Sequence, residues 1–192
     1  MSHNEGHSEI ERGRVTRAGF ASKLWKKLVS DPHFFDSNLL LDTAIALYGE
    51  ALRCYEIEAY IATAILCRDA LEACVHLVLS RKRRRESEYE IQTAYAGHSW
   101  RALKDHALED PILRDRLNEI ERVREKGNFA AHLSQKVDRR IAEEMKRISS
   151  GMESRPMSFR ITRREAENCL EKTYNILVFM MERTAASGDS GA

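Results

Sequence analysis

Arg122-Val123-Arg124-Glu125-Lys126-Gly127-Asn128-Phe129-Ala130-Ala131-His132 is the stretch on which the fold turns. Upstream, Pro111 to Val123 carries Leu113, Leu117, Ile120 and Val123 at helical spacing, so the stretch ends an amphipathic helix. The Gly127-Asn128 pair has no place in a plain surface helix. Glycine permits either close approach of a second helix or a φ > 0 break that Asn128 re-caps. Arg124, Asn128 and His132 fall at successive i, i+4 steps, and a continuous helix holds them along one stripe. A cation, an amide and an imidazole so placed either read a phosphate or form a buried polar ladder.

The rest of the composition sets the frame. A chain of 192 residues suits one domain that buries roughly 70% of its unfolded surface. With only 9 glycines and 3 prolines, and abundant Ala, Leu, Glu and Arg, an all-α fold is expected. Lys and Arg total 31 against 30 for Asp and Glu, so no global field draws nucleic acid, and any such contact needs a local patch. Cys54, Cys67, Cys74 and Cys169 form no C-x-x-C pair and read as reduced thiols, most of them in apolar helical patterns. The first 16 residues lack an apolar signal core, and Ile176 to Met181 is too short to span a bilayer. The expectation is a soluble cytoplasmic protein with no membrane segment, no cofactor and no metal site.

Along the chain, residues 1–17 read as a disordered tail, followed by a short helix from Ala18 to Val29 closed by Ser30-Asp31-Pro32. Asn38 is placed to cap a helix running from Leu39 to Cys54. The strongest periodicity runs from Ile57 to Leu79, with Ile57, Ile61, Ala64, Ile65, Arg68, Leu71, Val75 and Val78 on one stripe. Arg68 and Glu72 fall at i, i+4 on and next to that stripe, as an inward pair or an ordinary surface ion pair. Arg81, Lys82, Arg83, Arg84 and Arg85 form a basic run that is either solvated at a helix end or grips phosphates. Ser99 caps a short helix from Trp100, and Asp110-Pro111 starts the next. Ser134 starts a charged helix with Val137, Ile141, Met145 and Ile148 on one side. Thr162 and Glu165 form a capping box for the last helix, to about Thr184, and 185–192 reads as a second tail.

Ala64-Ile65-Leu66-Cys67-Arg68-Asp69-Ala70-Leu71-Glu72, a connector, a helix ending Gly127-Asn128-Phe129-Ala130-Ala131-His132 and a final amphipathic helix occur in that order. This arrangement resembles the HEPN superfamily (higher eukaryotes and prokaryotes nucleotide-binding). The resemblance is nearest to a bacterial branch, a domain of unknown function marked by Gly-Asn-x-Ala-Ala-His. It covers about residues 39–132 and 162–184, with 134–160 as a charged insertion in a single domain spanning 18–184. It implies an up-and-down bundle of four to five core helices with an extra N-terminal helix, often dimeric, with the polar motif near the dimer cleft.

Catalytic members of that superfamily are metal-independent endoribonucleases built on an arginine, a polar residue and a histidine. Histidine moves protons near neutral pH, and an arginine fork stabilises phosphoryl charge. Matched residue by residue, Asn128 and His132 fit, but Gly127 stands where the arginine belongs. Arg124 is too far upstream, and Lys126 lacks the bidentate fork. The favoured expectation is therefore a non-catalytic module, a homodimer binding a protein or RNA partner in bacterial defence or toxin–antitoxin pairing. Asn128 and His132 would then be tied to Glu72 or Arg68. The alternative is a ribonuclease using His132 and Asn128, with Arg124 or Lys126 replacing the missing arginine.

Overall fold

Long helices rich in Ala, Leu and charged residues bury one stripe each, and the chain closes them around a common core. The computed structural model describes residues 3–83, 100–132, 142–143, 145–151 and 160–186. Among the described residues there is no strand, and the all-α expectation holds. The elements are α1 (His3–Val29), α2 (Phe34–Glu56), α3 (Tyr60–Arg83), α4 (Trp100–Glu109), α5 (Pro111–Arg114), α6 (Leu117–Ala131) and α7 (Arg163–Ala186). Helix α3 is the hub. It packs against α2, α6 and α7, while α2 also meets α7 and α1. Ala64, Cys67, Ala70, Leu71, Cys74, Val75 and Val78 are buried along it, and several are small enough for neighbours to approach on more than one side. No described helix is long and apolar enough to cross a membrane.

Three expected boundaries move. Residues 3–17 belong to α1 rather than to a disordered tail. Arg17 is buried, its Nε donates to the Glu56 carbonyl at 3.4 Å, and its guanidinium pairs with Glu58. Those contacts anchor the helix at Arg17, one residue ahead of the expected start. Helix α2 starts at Phe34, not Leu39, because the carboxylate of Asp31 accepts from the His33 N–H at 2.9 Å and organises the turn ahead of it. Asn38 lies inside the helix, and the N-cap position falls to His33.

The third shift is at the head of α3. Ile57 caps the end of α2 and is 75% exposed, and Ile61 is also exposed, so neither joins the buried stripe. Here Ala59 N–H donates to the Cys54 carbonyl at 2.9 Å and Glu58 N–H to the Tyr55 carbonyl at 3.1 Å. Glu58 sits at φ 66 between them. This is the paired C-terminal closure that usually takes glycine. A left-handed glutamate costs about 1–2 kcal/mol, and its pairing with Arg17 offsets part of that.

Other local signals hold. The Asp110 carboxylate accepts from Ile112 N–H at 2.9 Å and Leu113 N–H at 3.1 Å, with Pro111 at the first helical position. The helix breaks at Arg116 and restarts, giving α5 and α6 in place of one continuous run. Thr162 N–H donates to Glu165 at 2.9 Å and Glu165 N–H to the Thr162 hydroxyl at 3.3 Å, the reciprocal pair expected of a capping box. Ala166, Leu170, Thr173, Ile176, Leu177 and Met180 of α7 are all buried, as are Cys67, Cys74 and Cys169. All four cysteines carry free thiols. On the charged segment, Met145 and Ile148 are exposed rather than packed. The expected caps at Ser99 and Ser134, with Val137, Ile141 and the tail from 187 onward, lie outside the described residues.

Where α2 meets α7, Tyr55 donates its hydroxyl to Glu167, and Arg163 Nε reaches Glu167 at 2.8 Å and the Tyr55 oxygen at 3.3 Å. Burial and the adjoining Glu167 push Tyr55 up to about 12 from its ordinary 10.0. Burial raises Tyr48 as well, whose hydroxyl donates to the Leu170 carbonyl at 3.3 Å. Raised folded-state values mean a contribution complete below pH 10.0 and lost as pH rises towards about 12. Urea unfolding across that range is expected to show falling stability, with a shallower fall in Tyr55→Phe. An identical alkaline slope in the variant would contradict the assignment.

Candidate functional site

The site is built on the crossing of α3 and α6. Leu117, Ile120, Val123, Gly127 and Ala130 form the buried face of α6, and the helix runs through Gly127 without a break. Of the two roles open to this glycine, close approach is the one found. A Cβ placed on Gly127 would overlap the Arg68 Cβ and come within 2.8 Å of the Ala64 carbonyl oxygen. The α6 backbone therefore lies directly against the Ala64 carbonyl and the first carbons of the Arg68 side chain.

That separation brings two polar edges together. Arg68 binds Asp69 through Nε at 2.8 Å and Nη2 at 2.6 Å, and its Nη1 donates to Asn128 Oδ1 at 3.2 Å. Arg124 Nε donates to Glu72 Oε1 at 2.9 Å, while Arg68 lies 4.0 Å from the same carboxylate. The Arg124 guanidinium stacks 4.5 Å over the Trp100 ring. Trp100 Nε1 donates to Glu121, which Lys104 also approaches at 3.5 Å. Three cations thus face three carboxylates, and the side chains of Arg68 and Arg124 are only 19% and 20% exposed. The expected Arg68–Glu72 pair is one edge of an interhelical network, neither an isolated inward pair nor an ordinary surface one.

His132 stands apart. The helix ends at Ala131, and His132 is its exposed C-cap, with backbone N–H donating to the Asn128 carbonyl at 3.0 Å. Its φ of −106 and ψ of 25 leave helical geometry, so the ladder of Arg124, Asn128 and His132 stops at its second rung. Among the described residues its ring makes no hydrogen bond or ion pair. Lys126 lies on another flank of α6 and pairs with Glu165 at the start of α7. That ion pair and the Thr162 hydrogen bonds hold Glu165 below the usual carboxylate range. For Arg81, Lys82 and Arg83 only the helical backbone is described, and Arg84 and Arg85 lie outside the described residues.

Lys104 and Glu121 are part of the arrangement without having been singled out by sequence, while Asp69, Trp100 and Glu165 were read only as members of a motif, a helix start and a capping box. Glu121 carried one signal, since it precedes Arg124 and Asn128 on the same helical stripe. The others depend on which helices meet. Among the described residues no group of His, Cys, Asp and Glu is arranged to hold a metal ion. No family model matches the chain, and neither a curated protein nor a solved structure does.

Two stability measurements check this geometry. Gly127→Ala gains about 1 kcal/mol of helix propensity but meets backbone. Overpacking costs about 1–3 kcal/mol, so net destabilisation is expected. Gly19→Ala in α1, with nothing within 4 Å of the added methyl, is expected to stabilise by about 0.5–1 kcal/mol. Equal effects at the two sites would refute the close crossing. In a double-mutant cycle, Arg124→Ala and Glu72→Ala should couple by about 1 kcal/mol, weakening with salt because the pair is partly wet. Strict additivity would mean the contact is not made in solution.

Proposed function

We propose that the chain is a non-catalytic, HEPN-like helical module of up-and-down architecture that works as a homodimer by binding a protein partner. One observation carries this reading: Asn128 is engaged by Arg68 and Arg124 by Glu72. Neither is available to hold a scissile phosphate against His132. Gly127 supplies no guanidinium at the position the ribonuclease pattern needs. The order of elements, a long central helix bearing Arg68 to Glu72 against a helix ending at His132, followed by α7, supports the kinship. Near-neutral overall charge favours a protein over RNA as partner. The setting in bacterial defence or toxin–antitoxin pairing rests on the resemblance and is part of the same proposal.

The test is incubation of the purified protein with single-stranded and hairpin RNA in the presence of a chelator. No cleavage is expected, and His132→Ala should leave the unfolding midpoint unchanged because its ring is exposed. Sedimentation at micromolar concentration should give a dimer. Metal-free cleavage that disappears in a folded His132→Ala variant would overturn the proposal in favour of the endoribonuclease, with Lys126 or Arg124 supplying the cation.

A further inference from the structure

The flank of α6 opposite Arg124 and Asn128 faces α7 across a cleft of about 490 Å³. Its walls include Arg122, Glu125, Lys126 and Phe129 from α6 and Asn168 and Lys172 from α7. Val123 and Cys169, both buried, also line it and give an apolar base. Burial pushes the Cys169 thiol up to about 11, so it is neutral at physiological pH and extends that base. Lys126 is occupied by Glu165. Arg122 and Lys172 make no ion pair or hydrogen bond among the described residues, and neither does Glu125.

We infer that this cleft binds a small organic anion with a single phosphate or carboxylate head and an apolar body. Arg122 and Lys172 take the head, and Val123, Cys169 and Phe129 carry the body. Three features lead there. The volume lies within the roughly 300–1,000 Å³ typical of small-molecule sites. Two uncommitted cations beside a low-dielectric wall attract an anion more strongly than the same cations in open water. Glu125, one turn along α6 from Arg122, repels a second negative group and so selects against polyanions such as RNA. The site is separate from the Arg68–Asn128 network, and its occupancy does not depend on whether His132 is catalytic.

Phenyl phosphate and benzoate serve as probes, titrated into the full chain by calorimetry, with inorganic phosphate as the head alone. Saturable binding of either aryl anion is expected, and the relative affinities identify the preferred head. The double variant Arg122→Gln/Lys172→Gln, checked for folding by circular dichroism, should weaken it by roughly tenfold or more. Glu125→Gln should tighten it. The inference is overturned if neither aryl anion saturates by about 10 mM, or if the double variant binds unchanged. It also fails if inorganic phosphate binds as tightly as phenyl phosphate, or if a short RNA binds more tightly and displaces the probe. RNA cleavage, the readout for the proposed function, is independent of all these outcomes.

Discussion

Backbone contact between α3 and α6 at Gly127 is the constraint from which the rest of the site follows. Glycine in a helix interior costs about 0.5–1 kcal/mol against alanine. The cost is offset because no side chain intervenes between the α6 backbone and Ala64 and Arg68. At that separation Arg68 reaches Asn128 and Arg124 reaches Glu72. Arg124 in turn lies over Trp100 and so ties α4 to the same crossing. One missing Cβ thus sets the spacing of three helices.

The same crossing decides what the polar residues can do. An amide and a guanidinium turned towards α3 complete a balanced set of charges, and a balanced set has little left to offer a phosphate. His132, one residue past the helix end, faces solvent without the neighbours its spacing suggested. The opposite flank of α6 has the reverse character. There Arg122 and Lys172 border an apolar recess with no partner among the described residues. The helix therefore has a structural edge and an open edge, and ligand chemistry is assigned to the open one.

Features set by a few neighbouring residues were legible in the sequence. The Asp110-Pro111 start, the Thr162–Glu165 capping box and the buried stripe of α7 each depend on local spacing, and each is found. Gly127 was legible as a choice between two roles, and only the neighbouring helix could make the choice. Other features were hidden for physical reasons. Glu58 takes a left-handed conformation that no glycine or asparagine announces, so periodicity ran α3 back to Ile57. Arg17 looked like part of a polar tail because its partners, Glu56 and Glu58, lie about 40 residues away in a turn. The i, i+4 ladder failed at His132 because spacing alone does not say where a helix stops.

The central claim is that α6 rests on α3 with Gly127 against Arg68. The most direct measurement is the nuclear Overhauser contact between the Gly127 α-protons and the Arg68 β-protons in the full-length protein. A strong cross-peak is the predicted result, and its absence, with Gly127 close only to its own helix or to water, would contradict the account.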